Sequence, residues 1–89
     1  MPRFVLLSRE GCHLCDEMET LLREHLPEFG EDYTVCDVDS DPEWRERFGQ
    51  VIPVLLREGL PVAKIRVDAR QLSRIIRGQR ASDTASRDR

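Results

Sequence analysis

Glu10-Gly11-Cys12-His13-Leu14-Cys15-Asp16 is the stretch whose reading decides the fold. Two cysteines separated by two residues follow the apolar run Phe4-Val5-Leu6-Leu7. They open a pattern of helical period, with Leu14, Met18, Leu21, Leu22 and Leu26 on one side and Glu17, Glu19, Arg23 and Glu24 on the other. The pair therefore stands on the first turn of a helix that follows a strand. A bare CxxC serves zinc, iron-sulfur and redox sites alike, so this context is what makes the motif informative.

Residues three apart on a helix are neighbours, so the first turn can bring both sulfurs to bonding range. The same turn turns unpaired backbone N–H groups and the positive end of the helix dipole towards Cys12. A dipole contribution of up to ~2 kcal/mol carries a thiol from about 8.5 towards neutrality. Cys15, one turn inside and next to Met18, faces the body of the domain. This assigns Cys12 as the nucleophile and Cys15 as the resolving thiol. Arg9 and a protonated His13 favour the thiolate while Glu10, Asp16 and Glu17 oppose it, so moderate activation is expected.

Working outward, a chain of 89 residues is expected to form one domain with one modest core. A net charge of -3 gives no support to nucleic-acid or membrane binding as a primary role. Phe4 to Leu7 is too short for a signal peptide or a membrane span, and a monomer in the reducing cytoplasm is expected. The cysteines agree. Three is an odd number for a disulfide scaffold. A Cys12–Cys15 bridge closes so small a loop that it stabilises by ~2 kcal/mol at most, so it is better explained by being made and broken.

The element order follows from patterning. Arg3 to Ser8 reads as a strand buried on both faces. A helix runs from about Cys12 to Leu26 and is ended by Pro27 and Gly30. Tyr33 to Val38 is a second strand, nearer an edge. Asp41 caps a short helix with Pro42 at its first position, Trp44 and Phe48 inward, and Gly49 at its close. Val54-Leu55-Leu56 is a central third strand. Glu58-Gly59 turns the chain into a fourth segment, Leu60 to Val67, with Val62, Ile65 and Val67 as its apolar positions and Pro61 admissible on an edge. Asp68 with Gln71 is a capping-box signature for a last helix bearing Ala69, Leu72, Ile75 and Ile76 and stopped by Gly78. Residues 79–89 lack large apolar side chains and are expected to be a disordered tail, leaving 1–78 as the domain. The result is an α/β protein, β-α-β-α-β-β-α, with a four-stranded mixed sheet in the order 2-1-3-4 flanked by helices.

At this level the chain resembles a glutaredoxin of the thioredoxin superfamily, from roughly Arg3 to Arg77. The anchors are Cys12-His13-Leu14-Cys15 after the first strand, Asp37-Val38-Asp39 before a short helix, Phe48-Gly49, Val51-Ile52-Pro53-Val54-Leu55, and Gly59 in the hairpin turn. The nearest pattern is that of short glutaredoxin-like proteins with a non-standard active-site dipeptide. The resemblance implies a thioredoxin-like fold and a thiol-disulfide oxidoreductase with Cys12 and Cys15 as its catalytic pair. It implies a cis Ile52-Pro53 peptide against the CxxC, and a substrate held by Arg9, His13, Leu14, Ile52 and Pro53. The partners it implies are a disulfide-bearing protein or glutathione, and a thiol reductant, with no bound cofactor beyond glutathione as a co-substrate. Two features depart from it. His13 and Leu14 replace the proline and tyrosine of typical dithiol glutaredoxins, and Val67-Asp68-Ala69-Arg70-Gln71 replaces the glycine pair and acidic residues that hold glutathione, so half a glutathione site is present. Gly11 stands where many thioredoxins carry tryptophan.

His25 lies about 20 Å along the helix from Cys12 and cannot complete a zinc site with Cys12, His13 and Cys15, so no metal is expected within one chain. Metal or iron-sulfur binding through the CxxC of a dimer, and a redox-inactive binding module of the same fold, stay open as alternatives. Cys36 reads as a small core residue. Asp37, Asp39 and Asp41 alternate like part of a calcium loop, but Pro42 and Phe48 stand where that loop needs glycine and glutamate. Arg70, Arg74 and Arg77 form one stripe of the last helix, read as a solvated face that complements the helix dipole, with docking of an acidic partner as the lesser alternative.

Overall fold

The computed structural model describes residues 3–77. The stop at Gly78 and the tail at 79–89 lie outside them. Strand β1 spans Phe4–Ser8, helix α1 His13–His25, strand β2 Tyr33–Asp37, helix α2 Pro42–Phe48, strands β3 and β4 Val54–Arg57 and Leu60–Lys64, and helix α3 Ala69–Ile76. Short 3-10 turns at Leu26–Phe29 and Val38–Ser40 follow α1 and β2. The sheet order is β2-β1-β3-β4, with β1 parallel to β2 and antiparallel to β3, and β3 antiparallel to β4. The expected architecture is thus the observed one.

The central strands are apolar without alternation because both their faces are covered. Phe4, Leu6 and Leu55 pack with Met18, Leu22 and Leu26 of the α1 segment and with Leu72, Ile75 and Ile76 of α3. Leu7, Val54 and Leu56 point the other way, onto Val38 and Phe48, with Trp44 and Cys36 partly buried beside them. Leu6 and Leu22 are fully buried, each burial contributing roughly 1.5–3 kcal/mol.

Local signals act as read. Asp41 accepts a hydrogen bond from the Glu43 N–H at 2.8 Å, and Asp68 and Gln71 close a reciprocal capping box. Glu58 and Gly59 have φ of 52° and 85°, the signature of a two-residue hairpin turn with a twist that suits its strands.

The fourth segment needs correction. β4 ends at Lys64, and Ile65 does not point inward: it is 43% exposed, with φ of 67°. The Arg66 N–H donates to the Lys64 carbonyl at 2.6 Å, which makes Ile65 the centre of a rare γ-turn. A β-branched residue held there costs on the order of 1–3 kcal/mol. The Ile65 N–H is engaged by the Pro53 carbonyl at 2.7 Å. A bulge precedes the turn: Leu56 pairs with Pro61 and Leu55 with Ala63, leaving Val62 extra. Val62 and Ala63 both pack towards the α1 and α3 side.

Register sets what meets at one end of the sheet. Leu7 pairs with Val54, so Pro53 continues opposite Ser8, where β1 gives way to the CxxC loop. Ser8 pairs on its other side with Asp37. The CxxC, Pro53, Ile65 and the turn after β2 therefore gather at this end. Among the described residues no helix is long and apolar enough to cross a membrane.

Candidate functional site

The approach to the cysteines is a tight turn. The Cys12 N–H donates to the Arg9 carbonyl at 3.2 Å, and Gly11 between them has φ of 80°, as the third position of a type II turn requires. The glycine that replaces the thioredoxin tryptophan is thus required by the backbone. Cys12 is the N-cap of α1, one residue before the helix begins, and its Sγ accepts the Cys15 N–H at 3.1 Å. The two sulfurs are bonded to each other, with their Cα atoms 5.2 Å apart. Their surroundings differ. Cys12 is half-buried, whereas Cys15 is 2% exposed within the core.

Of the other expected site residues, His13 is the most open: its side chain is 84% exposed, with Nε2 2.9 Å from a Glu17 carboxylate oxygen one turn on. Leu14 is half-buried on the helix face turned towards Ile65. Ile52-Pro53 is cis, and Pro53 is buried. Neither backbone polar group of Ile52 takes part in a hydrogen bond among the described residues.

Arg9 is differently placed from a residue waiting for substrate. Its Nε and Nη2 donate to the two carboxylate oxygens of Asp39, each at 2.9 Å, and Nη1 donates to the Gly49 carbonyl at 3.1 Å. Its charge is paired by a planar two-point contact. The hydrogen bond from Arg9 holds the Asp39 carboxyl below its ordinary value, and the bond to Asp39 raises the Arg9 guanidinium in turn. This clamp ties the CxxC loop to the turn after β2 and to the end of α2. Pattern reading missed it; the signal was an acid just past a strand parallel to β1, thirty residues from Arg9.

The neighbouring aspartates have separate structural tasks, since Asp37 accepts the Asp39 N–H at 2.8 Å while Asp41 caps α2. Among the described residues no three metal-capable side chains cluster. Cys36 is half-buried on the α2 side of the sheet.

A groove of about 200 Å³ that the sequence did not disclose starts at Leu14, the residue before Cys15. Leu14, Glu17, Met18 and Leu21 of α1 form one wall, and Ile65, Arg66 and Val67 the other.

Comparison with known proteins agrees with this arrangement. Residues 3–77 match the glutaredoxin-like domain family (DUF836). The chain belongs to this family. Among relatives by sequence, the uncharacterized Mycobacterium tuberculosis protein Rv0508 is 34% identical over 76 residues, covering 80% of this chain and 78% of its own. Of solved structures, protein Ne2328 from Nitrosomonas europaea is 26% identical with a TM-score of 0.70, covering 84% of this chain and 92% of its own. XcR50 from X. campestris has the same TM-score of 0.70 at 23% identity, over 85% and 97%. A glutaredoxin from Archaeoglobus fulgidus shares the fold at a TM-score of 0.58 and 18% identity, over 88% and 89%. The glutaredoxin-like, thioredoxin-superfamily fold is therefore established, with its cysteine pair at the start of α1.

Proposed function

We propose that this protein is a cytoplasmic thiol-disulfide oxidoreductase acting through Cys12 and Cys15. The observation that carries the reading is their asymmetry: a half-exposed Cys12 capping α1, and a core-buried Cys15 one turn on, with Cα atoms at bridging distance. The Cys12 thiolate attacks one sulfur of a substrate disulfide, forming a mixed disulfide and releasing the other sulfur as a thiol. Cys15 then attacks the Cys12 sulfur, forming the Cys12–Cys15 bond and releasing the second substrate thiol. Two electrons pass to the substrate, and an external thiol, glutathione or a protein dithiol, returns them. His13 lends positive charge near the sulfur when protonated, and the unengaged Ile52 backbone offers an extended partner a strand-like contact beside Pro53. Arg9 contributes by fixing the loop.

The test is equilibration over a series of glutathione ratios, an alkylating quench, and intact mass with site mapping. Reversible loss of alkylation at Cys12 and Cys15 together, with Cys36 unchanged, is expected. The Cys15→Ser protein accumulates a mixed disulfide on Cys12. Turnover surviving Cys12→Ser would sink the assignment.

A further inference from the structure

The charges of this molecule are sorted along the chain. Residues 60–77 carry Lys64, Arg66, Arg70, Arg74 and Arg77 against Asp68 alone, a net charge of +4, whereas residues 3–59 carry 6 basic and 14 acidic side chains, a net of -8. Ion pairing follows this division in part, since Arg45 and Arg57 of residues 3–59 meet no carboxylate among the described residues. Arg3, Arg9, Arg23 and Arg47 each meet a carboxylate. Among the described residues none of the five cations from Lys64 to Arg77 does. Asp68, the one acid of this segment, is occupied as the cap of α3.

This basic segment contributes Ile65, Arg66 and Val67 to the wall of the groove that starts at Leu14. Glu17 on the α1 wall is met by His13, and Arg66 stands on the facing wall, so the groove itself carries one acidic and one basic group and the surplus of positive charge lies beyond it, on α3. Its remaining lining of Leu14, Met18, Leu21, Ile65 and Val67 is apolar, with room for one apolar side chain. The exposed Ile65 forms the rim, held out by its γ-turn and by the bond from its N–H to Pro53. From there Arg70, Arg74 and Arg77 follow at helical spacing on the face of α3 opposite the buried Leu72, Ile75 and Ile76. By the helical rise Arg77 stands about 10 Å beyond Arg70.

We infer that the groove and the arginine face of α3 form one docking surface for an acidic segment of a partner protein. An apolar side chain beside the partner's reactive cysteine enters between Leu14, Met18 and Ile65, and carboxylates along its chain meet Arg66, Arg70, Arg74 and Arg77. The inference rests on the reading of Cys12 and Cys15 for its purpose, but the surface binds whether or not they react. A tripeptide such as glutathione that is bonded to Cys12 does not extend to Arg74 and Arg77. A nucleic acid is disfavoured by the -8 of the remaining body and finds no use for an apolar slot next to a thiol.

The test uses the full chain and fluorescent 12-residue peptides with a central leucine beside a serine in place of cysteine, one flanked by glutamates and one by lysines. Anisotropy at low salt is expected to show the acidic peptide binding about tenfold more tightly, with the difference lost near 0.5 M salt. The Arg70→Gln/Arg74→Gln/Arg77→Gln protein loses that preference, whereas Ile65→Ser weakens both leucine-bearing peptides and leaves the preference in place. A far-UV circular dichroism spectrum and melting temperature like those of wild type show that the triple variant is folded. Equal binding of the two peptides, or a preference that survives the triple change, overturns the inference. So does an oligonucleotide that binds as tightly as the acidic peptide, glutathione that competes it away, or self-association at low salt that the triple change abolishes. If the acidic peptide docks as expected while Cys12 reduces no disulfide, the docking surface stands and the oxidoreductase reading falls.

Discussion

Replacing Cys12 with alanine removes two things at once, the nucleophile and the cap of α1, and the second can be measured without any redox chemistry. Cys12 sits in extended backbone with φ of -94° and ψ of 109°, and its sulfur accepts the Cys15 N–H, one of the orphan donors of the first turn. Loss of a side-chain cap costs typically about 1 kcal/mol, which in a domain of this size lowers the melting temperature by roughly 4–8 °C. Serine keeps an acceptor at the same place, so Cys12→Ser should match or exceed the reduced wild type, and Cys12→Ala should fall below both. Oxidised wild type should melt above all three, and should exceed reduced wild type by no more than the ~2 kcal/mol of so small a ring. Differential scanning calorimetry at pH 7, with and without a phosphine reductant, separates these terms. If Cys12→Ala and Cys12→Ser melt within about 1 °C of each other under reduction, the sulfur is not a cap and the reasoning fails.

Three further outcomes are expected. Gly49→Ala would set a Cβ 2.5 Å from the Arg45 carbonyl oxygen and 3.4 Å from Arg9 Nη2, and the overpacking should destabilise by about 1–3 kcal/mol in urea titration, outweighing the better helix propensity. A Gly49→Ala protein as stable as wild type would count against the close packing there. The Asp39 carboxyl is held below its ordinary 3.8, chiefly by the hydrogen bond from Arg9. Its contribution to stability is therefore complete above the unfolded value and is lost as pH falls through the folded one. Wild type and Asp39→Asn should differ by a constant amount above about pH 5 and draw together as pH falls below the unfolded value in pH-dependent unfolding; a gap that does not narrow at all below that value would refute the pairing. Leu22→Ala, at a fully buried position of α1, should cost roughly 2.7–5 kcal/mol by the same titration.

What the sequence disclosed was whatever one segment settles by itself. Phe4-Val5-Leu6-Leu7 and Val54-Leu55-Leu56 could only be strands covered on both sides, and placing them centrally ordered the sheet. Asp41-Pro42 and Asp68 with Gln71 announced their helices because a cap bonds within its own first turn. The CxxC was visible from the change of hydrophobic period around it. Contacts between distant segments were not legible. Arg9 looked like a residue kept for an anionic substrate, since nothing local names Asp39 as its partner. Ile65 looked like one more apolar strand position, because a γ-turn and a strand end carry the same residue types. The groove that starts at Leu14 could not be drawn until that turn was known.

The bulge in β4 has a consequence for chemistry as well as for shape. Counted from the hairpin turn without it, Lys64 would arrive opposite Pro53; with Val62 left out of the pairing, Lys64 stands opposite Val54 and Ile65 meets Pro53 instead. One uncounted residue thus decides that a hydrocarbon, and not an ammonium group, borders the proline next to the reactive sulfurs. A register slip that erased the bulge would leave composition and sheet order untouched, yet would exchange the greasy rim for a cationic one. The selectivity of this face is in that sense an arithmetic property of the strand.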